Sequence, residues 1–286
     1  MKNSAKKVLI TTLIIVLILG VIGFYLYDIF SKGTPWDQHI FRTIAIVAML
    51  LGTLVRLYDT ASRKSLELYE KAYEEEIGFA FKDNPLKRKK LLCACRLFSE
   101  RNYSKALKYL SQLAKEAEYQ RDLIPVLLFA ALCYGDANIP KESIKIYYDL
   151  LQLNPNHAHA HSNLGYQLMK IGNYDEALVH FDKAISIKPK DYHAHVNRAD
   201  YYFDREQYDQ AIADATYALE LKNNGQEAAG LLTIIYALLG DEENKQKYYH
   251  VALTSGETPE RINQAIQFYC SRKEKGEEDG NDEAEQ

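Results

Sequence analysis

Residues 158–191 read AHAHSNLGYQLMKIGNYDEALVHFDKAISIKPKD. Small residues stand at Gly165, Ala177 and Ala184, and an aromatic stands at Phe181. A turn at Gly172 and Tyr174 divides two segments, and Pro189 closes the second. The stretch predicts a pair of helices that ends at the proline. Its features recur at a step of 34 residues, as from Pro155 to Pro189. Tyr147, Phe181, Ala215 and Tyr249 keep the step, as do Leu150, Ala184, Ala218 and Ala252, and Ala131, Gly165, Ala199 and Thr233. Ala177 and Ala211 match, with Ser143 and Lys245 as departures. A fixed step of this length marks a repeat array. Small residues fall where two helices press closest, and the aromatic fills the space against the next repeat. One pair cannot bury its apolar face alone, so several must stack.

These residues resemble the tetratricopeptide repeat (TPR) family. Leu164-Gly165, Gly172-x-Tyr174, Ala177, Phe181, Ala184 and Pro189 carry the resemblance in the best segment. Residues 192–225 keep Ala199, Tyr208, Ala211, Ala218 and Leu221, with Asn223 where proline is usual. Residues 124–157 keep Ala131, Tyr134, Tyr147 and Pro155, and residues 226–257 keep Tyr236, Gly240-Asp241 and Ala252. An upstream copy near 87–117 shows Asn102-Tyr103 and Ala106, offset by three residues. Residues 259–270 look like a capping helix, opened by Pro259, with Ile262, Ile266 and Phe268 for its inner face.

The resemblance implies an all-α, right-handed helical-repeat solenoid with a concave groove that holds peptides or partner proteins. It places His159, Ser162, Tyr166, Met169 and Lys170 in that groove, followed by His193, Val196, Asp200, Phe203 and Asp204. The preceding repeat contributes Leu128, Leu132 and Asp136, and the following one Glu227, Gly230, Ile234 and Leu238. Aromatic and apolar groups with a few acids suit an extended or helical peptide with apolar anchors and a basic residue. Asn197-Arg198-Ala199 resembles one part of a family clamp for acidic tails. The partners such a clamp needs in adjacent repeats are missing, since Ser162, Tyr166, Gly230 and Ile234 stand there.

His157, His159 and His161 alternate, and His193 and His195 recur 34 residues later. A metal shared by His157 and His161 is the sharp reading. A duplicated helix start with polar substitutions is the plainer one, and no metal or cofactor is expected. Cys93, Cys95, Cys133 and Cys270 lack zinc spacing and read as small apolar residues in helices. No phosphate loop, G-x-S-x-G or H-E-x-x-H is found, so nothing points to an enzyme or a small-molecule substrate.

The remaining chain divides into anchor, linker and tail. Residues 8–27, VLITTLIIVLILGVIGFYLY, carry no charge and span roughly 30 Å as a helix. Lys2, Lys6 and Lys7 precede them, and no A-x-A site follows, which predicts an uncleaved transmembrane helix. Residues 36–55 form a second, weaker span that includes Asp37, His39 and Arg42. Arg56, Arg63, Lys64 and Lys71 follow it. Since Lys and Arg collect on the cytoplasmic side, a multi-pass anchor over 1–56 with both termini in the cytoplasm is expected. A helical linker over 57–86 follows, with a stripe at Leu66, Tyr69, Tyr73, Ile77 and Ala80. Lys87-Arg88-Lys89-Lys90 reads as a solvated helix start, with anionic lipid headgroups as the alternative. The solenoid is expected over 87–270 and a disordered acidic tail over 271–286.

The whole chain has 286 residues and a net charge of −4, which disfavours nucleic acid as a partner. Seven acids against three bases between Ser271 and Gln286 account for all of that charge. The expected function is a membrane-anchored scaffold, bound to lipid through its N-terminal helices, that gathers a protein or peptide partner. If the second span does not cross, the alternative is a structural subunit of an envelope assembly with the repeats outside. A helical-repeat enzyme is the remaining alternative.

Overall fold

A computed structural model of the chain describes residues 49, 70, 71 and 73–284, with side chains as far as 272. The chain divides into units 1–72 and 73–286, and the repeats lie in the second. The expected membrane spans, 8–27 and 36–55, lie outside the described residues except for Met49. Among the described residues no helix is long and apolar enough to cross a membrane.

The second unit is all helical among its described residues. A short helix α1 (Glu74–Ile77) comes first. Then follow α2 (Pro85–Ser99), α3 (Tyr103–Glu116), α4 (Gln120–Asp136), α5 (Pro140–Leu153), α6 (Ala158–Lys170) and α7 (Tyr174–Ile187). The array continues with α8 (Tyr192–Asp204), α9 (Tyr208–Leu221), α10 (Gln226–Leu239), α11 (Glu242–Thr254) and α12 (Pro259–Ala284). From α2 to α11 the helices pair in sequence, and each pair packs on the next.

The 34-residue step is also a step in the backbone. Asn138, Gly172, Glu206 and Gly240 all adopt positive φ, at 60°, 82°, 58° and 72°. Each ends the tight turn inside its pair. Glycine takes this conformation freely, whereas Glu206 holds it at a steric cost. Arg101, at φ 57°, does the same for α2 and α3 and sits three residues ahead of the register. That displacement is the offset visible in the sequence.

Within each pair the small positions are where the two helices touch. Ala131, Ala160, Ala177, Ala184, Ala199, Ala211, Ala218 and Ala252 are fully buried, as are Phe181 and Leu150. A Cβ built on Gly165 would lie 2.8 Å from the Phe181 ring and 2.9 Å from the Ala177 carbonyl oxygen. In the next pair, where Ala215 replaces the phenyl ring, the equivalent position is Ala199. Ser143, the departure from the alanine series, donates its hydroxyl to the Ala131 carbonyl at 2.8 Å. Its polar group is thereby satisfied at the same close approach.

Two histidines fasten the turns between pairs. His161 Nε2 donates to the Pro155 carbonyl at 3.0 Å, and His195 Nε2 donates to the Pro189 carbonyl at 3.0 Å. His161 Nδ1 also meets His180 Nδ1 at 2.9 Å, and His195 Nδ1 meets Asp214 at 3.0 Å. His157 instead caps α6 by accepting the Ala160 N–H. The alternating histidines thus point to different partners. Among the described residues no three His, Cys, Asp or Glu side chains gather to hold a metal. Cys95 and Cys133 are buried, and burial pushes the Cys133 thiol up to about 12.

Several expectations are corrected. Within the expected helical linker over 57–86, α1 stops at Ile77, where Gly78 turns to φ 47°. A bend follows, until Asn84 caps α2 by accepting the Lys87 N–H, with Pro85 at the first helical position. Of the expected stripe, Ile77 and Ala80 are buried and Tyr73 meets Phe129 edge-on at 5.0 Å. Leu66 and Tyr69 lie outside the described residues. The basic run does lie at the start of α2, with Lys89 exposed, but Lys87, Arg88 and Lys90 are half-buried and make contacts within the chain. Lys87 donates to the Glu116 carbonyl at 2.8 Å, Lys90 lies 3.4 Å from the Glu116 carboxylate, and Arg88 binds the carbonyls of Gly78 and Ala80. In the cap, Ile262 is buried, but Phe268 is 59% exposed and Tyr269 faces inward. Six residues beyond Ile262 a helix has rotated off the inner face, while seven bring it back. Finally, α12 continues through Ala284, where a disordered tail was expected over 271–286. No proline interrupts that polar stretch.

The segment before α2 is fixed to the repeats by charge. His159 Nε2 lies 3.0 Å from Asp191 and Nδ1 lies 3.4 Å from Glu76 of α1. Lys188 pairs with Glu75. Asp191 also caps α8 by accepting the His193 and Ala194 N–H groups. The Asp191 and Glu76 bonds raise the His159 imidazolium to about 9 against the effect of burial. Burial would raise Asp191, but His159 and the Ala194 N–H hold it at about 2.

Two outcomes follow from this packing. Gly165→Val should lower the unfolding free energy by about 1–3 kcal/mol through overpacking against Phe181, as read by chemical denaturation. The His159 contribution is complete below its unfolded value near 6.5 and disappears as pH rises through about 9. His159→Gln should therefore cost about 2 kcal/mol at pH 6 and much less at pH 10. A loss equal at both values removes the ionic account of this contact.

Candidate partner-binding groove

The first helix of each pair presents its expected groove positions along one side of the stack. They separate into two ends. At the upstream end His159, Ser162 and His193 frame a hollow of about 230 Å3 with Leu128, Leu132 and Glu76. Here the chain already occupies its own side chains: both His159 nitrogens are engaged by carboxylates. Ser162 is buried and accepts a hydrogen bond from Asn197 Nδ2 at 2.9 Å. Arg198, beside it, is engaged by Asp214 at 2.7 and 2.9 Å and by Asp182 at 2.7 Å. The guanidinium is directed away from any role in holding an acidic tail.

The downstream end is open. Tyr166, Met169 and Lys170 of α6 meet Asp200, Phe203 and Asp204 of α8 around a pocket of about 590 Å3. Glu227, Gly230 and Ile234 of α10 supply a third side, and Tyr269 and Ile262 of α12 a fourth. Gly230 keeps that side low, since a Cβ there would meet nothing within 4 Å. Tyr166 is half-exposed, with the Lys170 ammonium 6.0 Å above its ring. Phe203 is nearly buried in the core of α8 to α11 and meets Tyr269 of α12 edge-on at 4.9 Å, so little of it is left for a partner. Val196 and Leu238 belong to the packing between α8 and α10. Leu128 is buried within the core of the preceding pairs, and Asp136 lines a neighbouring hollow of about 460 Å3 that shares Tyr166 and Lys170.

The charges of the open pocket are unequal in their satisfaction. Glu227 accepts the Tyr192 hydroxyl at 2.8 Å. Glu257 is bonded to Gln226 and lies 3.1 Å from Arg261. Asp200 has no hydrogen bond or ion pair among the described residues. Burial, with Asp204 and Glu227 adding repulsion, pushes its carboxyl up to about 7. Burial also raises Asp204, which Arg272 offsets in part.

The resemblance, applied to the first helices alone, omitted α12. The inward set is Ile262, Ala265 and Tyr269, a helical spacing that Phe268 does not share. Counting that period through to Tyr269 identifies the fourth side of the pocket.

Known proteins supply a frame for this geometry. The tetratricopeptide repeat model matches residues 158–191. No curated protein matches the chain. Among solved structures, PilW, a widely conserved type IV pilus biogenesis factor, superposes with a TM-score of 0.55 at 18% identity, over 64% of this chain and 87% of its own. A thermophilic TPR protein in Thermus thermophilus gives 0.54 at 18% identity, over 63% of this chain and 97% of its own. MamA from Desulfovibrio magneticus gives 0.49 at 19% identity, over 61% and 99%. The motif match over the central pair and the likeness to the first two structures make the described helices a TPR-like solenoid.

Proposed function

We propose that this chain is a non-catalytic, membrane-anchored scaffold whose groove holds a protein or peptide partner at the cytoplasmic face of the membrane. The observation that carries the binding part is the open downstream pocket. It combines half-exposed Tyr166 of α6, the carboxylates of α8, apolar Ile234 of α10 and the inner face of α12. Clefts of this make-up, apolar with a few placed polar groups, are where ligands bind. The upstream end is already engaged by α1, whereas this pocket stands open. The anchoring part rests on the uncharged run at 8–27, the weaker run at 36–55 and the lysines and arginines that flank them.

Two measurements test the reading. The full-length chain should retain a saturable protein partner, and Tyr166→Ala with Ile234→Ala should weaken that binding more than ten-fold by removing two apolar anchors. Both positions are partly exposed, so the fold tolerates the change; undiminished binding removes the groove from the account. A variant keeping only Cys270 should react with a membrane-impermeant maleimide after permeabilisation and not in intact cells. Labelling from outside would replace the cytoplasmic reading with the envelope one.

A further inference from the structure

We infer that the downstream pocket is built for a cationic side chain, so that the partner enters it with a lysine or arginine flanked by apolar residues. This deepens the proposed groove binding and rests on it. The reasoning begins with Asp200. It stands ninth of the thirteen residues of α8, two turns from the N-terminal end, so no orphan backbone N–H is at hand to satisfy it. It lines the pocket half-buried, without a hydrogen bond or salt bridge among the described residues. A carboxylate that gives up part of its water without gaining a partner is destabilised, and a counter-ion entering the pocket relieves that cost.

The neighbours do not cure this. Asp204, one helical turn further along α8, and Glu227 of α10 add the same sign, and both raise the Asp200 carboxyl. The nearby cations are directed elsewhere: Lys170 of α6 stands over Tyr166, and Arg261 of α12 pairs with Glu257. Arg272 acts on Asp204. The remaining titratable groups facing the pocket are the Tyr166 and Tyr269 hydroxyls, both raised by burial and so uncharged at neutral pH. The pocket lining thus carries four carboxylates, Asp200, Asp204, Glu227 and Glu257, against Lys170 and Arg261.

The walls narrow the choice of occupant. Tyr166 and Tyr269 line the pocket as aromatic walls, and Met169, Ile234 and Ile262 add apolar surface. A lysine or arginine matches that arrangement along its length. Its methylene stem packs on the apolar walls while its head reaches the acid, and a cation also gains from aromatic faces. An acidic tail meets repulsion, and a purely apolar segment leaves Asp200 desolvated and unpaired. Binding by this pairing needs Asp200 ionised. Since its folded value is near 7, attachment of the cation should release a proton and strengthen as pH rises from 6 to 8.

The test selects binders of the full-length chain from a phage-displayed library of random twelve-residue peptides. Three forms are compared: the unaltered protein, Asp200→Asn, and Tyr166→Ala with Ile234→Ala. The unaltered protein should enrich peptides carrying lysine or arginine between apolar residues. Asp200→Asn should lose the basic preference and keep the apolar one. One enriched basic peptide, followed by anisotropy, should bind Asp200→Asn about ten-fold more weakly at pH 8 and without the rise between pH 6 and 8. Asp200→Asn is isosteric and removes an unpaired charge, so its melting temperature should not fall. Asp204→Asn, at the exposed rim, should show a smaller loss in the same direction. An enriched set without basic residues, or a basic preference that survives Asp200→Asn, overturns the inference while leaving the groove reading in place. Enrichment that is indifferent to Tyr166→Ala with Ile234→Ala, or no enrichment, overturns both.

Discussion

Everything in the repeat unit depends on how closely two helices approach inside one pair. Where Phe181 fills the gap, its partner position has no room for a methyl group, and glycine stands there. Where the aromatic is replaced by Ala215, alanine suffices at 199. Each pair so formed has a second apolar face that it cannot cover itself. The next pair must supply the cover, and the array continues until α12 closes it with Ile262. Contacts are therefore between neighbours, and the groove is the curved side that this stacking leaves over.

The array was readable because its determinants are local. A glycine or asparagine at the turn, alanines at the crossing and a proline at the end each act within one pair, and each recurs at a constant step. Glu206 shows that the backbone keeps the step even where the residue type does not favour it. What could not be read was longer-range placement. Ile77 and Ala80 were recognised as apolar, yet nothing in their spacing says that a bend at Gly78 brings Glu76 to His159. The basic run at 87–90 is visible as charge, but its partners are the carbonyls of Gly78, Ala80 and Glu116 and the Glu116 carboxylate, which only the fold brings beside it.

The groove residues show the same division. Periodicity and resemblance located the right side of the right helices, and Tyr166, Asp200 and Ile234 do line one pocket. Whether a side chain in that series is open or packed depends on its neighbours across the pair. Phe203 meets Tyr269, Val196 sinks into the α8–α10 core, and Ser162 is taken by Asn197. A period cannot distinguish these fates, because it carries no information about what approaches from α12 or α1.

The double use of α12 has a thermodynamic consequence. Ile262 and Tyr269 seal the last pair and at the same time wall the pocket. In a stack held by nearest neighbours, the terminal member is where fraying starts. Occupancy of the pocket and order at the C-terminal end are thus linked quantities. A guest seated between α6 and α12 lends its binding free energy to the weakest end of the array, so ligation and resistance to end-unzipping rise together.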